Sequence, residues 1–149
     1  MSKLNALELE ELINQWERDS VIEPADAGTE LLRIPTLHSK YNKSLTLHNL
    51  AAKRAAMEYA TLRKLKWMYY SGKLTQEELE KHGWDQFPFA LRSDMNVYID
   101  GDQDLASLVA KKVYHEECST FCVNVMKELN NRTWQLRTYI DYEKFNAGL

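Results

Sequence analysis

Residues 36–70, TLHSKYNKSLTLHNLAAKRAAMEYATLRKLKWMYY, hold neither glycine nor proline, and their apolar side chains recur at helical spacing. The pattern predicts one helix from Thr36 to Tyr70, stopped at Ser71 and at Gly72, a natural left-handed cap. At about 1.5 Å per residue it extends roughly 50 Å, too far for one small domain to wrap without packing on neighbours. Turning about 100° per residue, it gathers Tyr59, Arg63, Lys66, Trp67 and Tyr70 into one arc. The opposite arc holds Leu47, Leu50, Met57, Thr61, Leu65 and Met68, with Ala51, Leu62 and Tyr69 beside it, and reads as core or subunit contact. Cations set among rings form a surface that neutralises phosphates and stacks bases without regard to sequence. The plain alternative is a solvated basic face whose rings pack on another subunit.

Charge is segregated around this helix. Residues 1–30 carry 2 basic and 8 acidic side chains, residues 31–76 carry 9 and 1, and residues 77–149 carry 8 and 13. The net charge of −3 hides a middle block whose single acid is Glu58. Such an asymmetry exceeds what a merely solvated face requires, and it points to a polyanionic partner. Lys53, Arg54, Arg63, Lys64, Lys66 and Lys73 are the cations expected to meet it, with Tyr59, Trp67 and Tyr70 as stacking rings.

The 149 residues suffice for one domain with a core, and five glycines and three prolines leave little material for an all-β fold. An all-α chain is expected, as one helical domain over 1–149: an acidic segment 1–34, the basic helix 36–72, a connector 73–101 and a second long helix 102–146. Leu4, Leu7, Leu12, Ile13 and Trp16 predict a short amphipathic helix over 4–18. Pro24, Gly28 and Pro35 punctuate the link to the long helix, with room for a helical turn or two at 25–33. In the connector, Thr75 and Glu78 have capping-box spacing for a short helix to Lys81. Gly83 and Pro88 rule out a continuous helix, while Trp84, Phe87 and Phe89 call for burial. Met95, Val97 and Ile99 alternate with polar neighbours and predict a short extended segment over 95–99. The second long helix carries Leu105, Leu108, Val109, Val113, Phe121, Val125, Leu129, Leu136 and Ile140 at helical spacing, with a break near Asn130 and Asn131. Two long helices, a short N-terminal one and a connector give an elongated hairpin with too much apolar face for one layer, so self-association is expected. Leu129, Leu136, Tyr139, Ile140, Tyr142 and Phe145 are the residues expected to make it.

Catalytic and metal chemistry find little footing. The string DGDQD at 100–104 has Leu105 where a calcium loop needs glycine and Lys111 where it needs a bidentate glutamate. It reads as an acidic helix start complementing the dipole. His115, Cys118 and Cys122 share a helix face, but one helix rarely completes a zinc site, and seam packing is the reading preferred. No phosphate loop, nucleophile elbow or zinc-protease signature occurs, so the chain reads as a non-enzyme without cofactor or metal. The acidic N-terminus is no signal peptide, and no apolar run approaches membrane length, so a soluble intracellular protein with reduced thiols is expected.

Lys64 followed by LKWMYYSGK at 65–73, together with YIDYEKFNAG at 139–148, resembles the UvsY recombination mediators of T-even-like myophages. The likeness takes in the two-long-helix layout, about three quarters of the chain, and leaves out the first 30 residues. In that family a basic–x–basic pair before Tyr-Tyr-Ser-Gly is implicated in binding single-stranded DNA; by position the pair is Lys64 and Lys66, with lysine rather than arginine second. The resemblance implies a ring-like homo-oligomer, expected to be a heptamer. It further implies binding of single-stranded DNA without sequence preference. The same likeness implies loading of a UvsX-like phage recombinase onto DNA coated by the phage single-strand DNA-binding protein, in the cytoplasm of the infected host. The rival reading is a helical scaffold whose basic strip binds an acidic protein.

Overall fold

The computed structural model describes residues 7–149. Among these residues five α-helices occur, in the order α1 Leu9–Asp19, α2 Ala27–Tyr70, α3 Gln76–His82, α4 Met95–Asp100 and α5 Gln103–Asn146. Single 3₁₀ turns at Pro24–Asp26 and Arg92–Asp94 precede α2 and α4, and no strand occurs among the described residues. The all-α expectation holds. Leu4, assigned above to the first helix, lies outside the described residues; within them that helix runs from Leu9. Both long helices pass through two compact units, one built from Met1–Ala51 with His115–Leu149 and the other from Ala52–Tyr114.

In the first unit, buried residues recur three and four apart along both long helices. On α2 they are Ala27, Glu30 and, two turns on, Leu37, Tyr41, Ser44, His48 and Ala51; on α5 they are Cys118, with Ser119 beside it, Cys122, Val125, Leu129, Arg132 and Leu136. That is the spacing of a two-helix seam. Helix α1 closes it: Leu12 is fully buried, and Trp16 meets the ring of Tyr41 edge-on at 5.7 Å. Arg132 donates to the carbonyls of Asp19 (3.2 Å) and Ser20 (2.8 Å), caps the C-terminal end of α1, and lays its guanidinium over Trp16. Asp19 accepts from Tyr41 Oη at 2.9 Å and pairs with Lys40 at 2.7 Å and Arg33 at 3.2 Å. Burial pushes its carboxyl upward, but those partners hold it below the usual carboxylate range. The seam also carries a histidine pair, His48 Nδ1 to His115 Nδ1 at 2.9 Å, with His48 Nε2 on the Leu7 carbonyl at 2.8 Å.

Two helix boundaries differ from expectation. Helix α2 begins at Ala27 rather than Thr36 and runs straight through Pro35. The turns at 27–34 bury Ala27 and Glu30, so tertiary packing outweighs the one backbone bond that proline removes, and Pro35 itself faces solvent. Helix α5 does not break at Asn130 and Asn131. Both asparagines are exposed while Leu129 and Arg132 fill the seam on either side of them, so nothing local interrupts the ladder.

The second unit wraps α3, α4 and the loop between them around the end of α2. Thr75 and Glu78 form the expected capping box, Thr75 Oγ1 accepting from the Glu78 amide at 3.2 Å and Glu78 Oε2 from the Thr75 amide at 2.9 Å. Gly72 ends α2 with φ +73, as expected of a left-handed cap. The extended segment expected over 95–99 is instead the helix α4. Met95 and Ile99, one turn apart, are 2% and 3% exposed while Val97 between them is 71% exposed; the pair belongs to one helix face, and a helix satisfies its backbone without a partner strand.

Candidate nucleic-acid interface

The residues buried at this end of α2 are Ala52, Ala55 and Lys66, with Tyr59, Leu62, Tyr69 and Tyr70 half-buried between and beyond them. The packed side of the helix therefore lies closer to the aromatic-basic arc than to the apolar one, and the expected core face is corrected by roughly a third of a turn. Met57 of the apolar arc is 66% exposed and Leu50 is 48% exposed. Alanines hold the packed side because they let neighbouring elements approach closely, and apolar periodicity does not reveal small residues in that role.

Lys66 is inside. Its Nζ lies 3.0 Å from Asp102 Oδ2 and 2.8 Å from Asp104 Oδ2, with the Trp84 ring 4.2 Å away and the Tyr69 ring 5.7 Å away. Burial would lower the Lys66 pKa, but the two carboxylates raise it, so the ammonium stays charged. Asp102 is the focus of this network. Its Oδ2 also accepts from Tyr70 Oη at 2.6 Å, and its Oδ1 accepts from the Leu105 amide at 2.9 Å, which caps the N-terminus of α5. Although burial pushes the Asp102 carboxyl upward, these donors hold it below the usual range, and the Tyr70 hydroxyl is raised in turn, by burial and then by Asp102. Tyr70 further packs on Tyr98 and Phe87, and Tyr69 on Trp84 and Phe87. The loop rings of Trp84 and Phe87 thus find partners on the neighbouring helices, whereas Phe89, expected to be buried, is 70% exposed.

The remaining cations face outward. Lys53, Arg63, Lys64 and Lys73 are exposed and Arg54 is half-buried. Among the described residues none of the five makes an ion pair. At about 100° per residue Lys53, Ala60, Arg63, Lys64, Trp67 and Ser71 lie on one exposed side of α2, turned away from Ala55 and Lys66. Arg63 covers the half-buried indole of Trp67 at 5.6 Å. Tyr59, Lys66 and Tyr70 therefore separate from Arg63, Lys64 and Trp67. The sequence reading overlooked Asp102 and Asp104, which it took only as an acidic helix start. An aspartate immediately before a helix, three residues ahead of Leu105, is the cap signal that marked the first of them.

The proposed oligomerisation residues separate likewise. Leu129 (0% exposed) and Leu136 (4%) are spent inside the first unit, Tyr139 and Ile140 are half-buried, and Tyr142 (60%) and Phe145 (80%) are exposed. Trp134, 70% exposed, extends the last two into an outer stripe of α5, while Leu149, 92% exposed, lies beyond the end of the helix. Cys118 and Cys122 are buried thiols in the seam; burial, with Cys118 beside it, pushes the Cys122 thiol up to about 11. Among the described residues no group of three or more His, Cys, Asp or Glu is placed to hold a metal ion, and no helix is long and apolar enough to cross a membrane.

Residues 15–149 match the family model described as "Recombination, repair and ssDNA binding protein UvsY". Solved structures similar to the chain are crystals of the bacteriophage T4 recombination mediator protein UvsY. Lattice type II has a TM-score of 0.80 at 20% identity, covering 95% of this chain and 98% of that one. Lattice type I has 0.79 at 18% over 91% and 98%, and lattice type IV has 0.77 at 17% over 94% and 99%. At such identities the likeness establishes the helical fold. No curated protein matches the chain.

Proposed function

Since the chain belongs to the UvsY family of recombination, repair and single-stranded-DNA-binding proteins, we propose that it is a recombination mediator that grips single strands by the exposed side of α2. The observation that carries this reading is the row of cations Lys53, Arg63 and Lys64 on the Trp67 side of α2, with Arg54 at its edge and Lys73 just past its end, none of them in an ion pair among the described residues, in a block whose only acid is Glu58. Phosphates displace counterions there and bases stack beside them, with no groove-reading element to impose sequence preference. Lys64 makes the direct phosphate contact. Lys66, with Tyr70, holds α2 against the start of α5 so that Lys64, Arg63 and Trp67 stay presented together. Tyr59 flanks the strip.

Copies assemble through the Trp134, Tyr142 and Phe145 stripe into a ring, in keeping with the heptamer that the family resemblance implies. Several weak strips linked in one particle act at high effective concentration. The wrapped strand is handed from the phage single-strand DNA-binding protein to a UvsX-like recombinase in the host cytoplasm, with no catalytic step by this chain.

The test is anisotropy of a labelled oligonucleotide, single-stranded against duplex, at low and high salt, with the natural chain and Lys64→Ala. Preferential single-strand binding that weakens with salt, and falls in the variant without loss of helix content, is expected. Absence of binding to either strand at low salt overturns the reading. Displacement by heparin with indifference to strand type turns it toward an acidic protein partner.

A further inference from the structure

Beside Trp67 the second unit holds a cleft of about 410 Å³, lined by Trp67, Ser71, Lys73, Ala90, Arg92 and Met95. Its size falls in the roughly 300–1,000 Å³ range of small-ligand sites. One wall is the last turn of α2, and the other is the chain from Ala90 into the 3₁₀ turn Arg92–Asp94. The walls are tied together: the Ala90 amide donates to the Tyr70 carbonyl at 2.8 Å, and Met95 at the base is 2% exposed. A helix C-terminus ordinarily repels an anion through its free carbonyls. Here those of Trp67, Met68, Tyr69 and Tyr70 are all taken, by the amides of Ser71, Lys73, Gly72 and Ala90. The charges left at the mouth are Lys73 and Arg92, both exposed and, among the described residues, neither in an ion pair, Asp94 two residues on included.

Arg63 lies one turn before Trp67 and covers its ring at 5.6 Å, whereas Ser71, one turn after, lines the cleft. The indole thus has a cation toward one end of the helix and an open space toward the other. We infer that this cleft takes one nucleotide unit of the bound strand, its base stacked on Trp67 and its phosphate held between Lys73 and Arg92. The inference rests on the single-strand reading above and deepens it: each copy has a defined base pocket at the end of its cation strip. Arg92 comes from the connector, outside the basic block of the sequence, and closes the grip from the side opposite Lys73.

The experiment uses the full chain and two labelled strands of equal length, one of thymidine nucleotides and one of abasic deoxyribose phosphates. The natural chain should prefer the base-bearing strand. Trp67→Ala should erase that preference, weakening thymidine binding between roughly 5-fold and 150-fold, the equivalent of one lost stack, with abasic binding unchanged. Trp67→Phe should restore most of it. Arg92→Gln, a change at an exposed side chain, should weaken both strands and lower the log–log salt slope by about 0.7, one phosphate contact on a single strand. If the natural chain binds neither strand, the single-strand reading fails with the pocket. If it binds strands but Trp67→Ala and Arg92→Gln match it on both, only the pocket is overturned. Displacement of the strand by free thymidine monophosphate at equal phosphate concentration would also overturn it, in favour of a free-nucleotide site.

Discussion

The Lys66 ammonium and the Asp102 carboxylate lie below the surface, their side chains 7% and 3% exposed, so each depends on the other. Removing the lysine leaves the Asp102 carboxylate in low dielectric without its counter-charge. Lys66→Ala should cost about 3–5 kcal/mol in urea unfolding, and Lys66→Met, which keeps the stem against Trp84, should not recover it. Lys64→Ala, two residues away and exposed, should leave the unfolding midpoint unchanged while lowering DNA affinity and salt slope. Measured together, the two variants separate presentation from contact within the family's basic pair. The pH dependence has a definite sign. Asp102 and Asp19 sit below their ordinary range, so their stabilisation is present above it and is lost as pH falls through the lower folded values. Lys66 sits above its ordinary range, so its contribution persists to neutral pH and beyond and fades only in strong alkali. Urea midpoints should therefore hold level near neutrality and drop below about pH 4, and Asp102→Asn should remove part of that acid limb, leaving the share of Asp19.

At the scale of elements, the end of α2 depends on one left-handed residue. A Cβ built at Gly72 meets the Phe89 Cβ at 3.2 Å, in a backbone conformation side chains rarely adopt. Gly72→Ala should cost about 1–2 kcal/mol and loosen the Ala90 wall of the cleft, read as a lower thermal midpoint. In the same helix Ala55 is fully buried, and Ala55→Leu should cost about 1–3 kcal/mol by overpacking. These elements differ in how plainly the residues announce them. Gly72 and the Thr75–Glu78 box were legible because their roles depend on nearby backbone alone. The packed side of α2 was not, because Ala52, Ala55 and Lys66 carry no apolar periodicity, while Met57 and Leu50 carry it on an exposed side. The 95–99 segment was misread because period-two alternation over five residues also contains the i, i+4 pair of a helical turn. The cation strip was half legible: charge segregation marked the helix, but only tertiary packing separates Lys66, which is consumed, from Lys64, which is free.

For the molecule as a whole, the apolar surface left at the end of α5 sets the expected assembly. Tyr142→Ser with Phe145→Ser should lower the particle mass in sedimentation without loss of helix content, because both rings are exposed in the single chain. Affinity for a long single strand should then fall roughly 100-fold or more, while a strand short enough for one copy is unaffected. All four indoles of the chain carry a cation near the ring: Arg132 on Trp16, Arg63 on Trp67, Lys66 on Trp84 and Arg137 on Trp134. Two belong to each compact unit, and each stands at a different junction: the docked first helix, the mouth of the cleft, the buried ion pair and the outer stripe. The protein is therefore wired with four native optical probes, and variants that keep one indole at a time would let its ultraviolet emission time docking, stacking, opening and assembly as separate events.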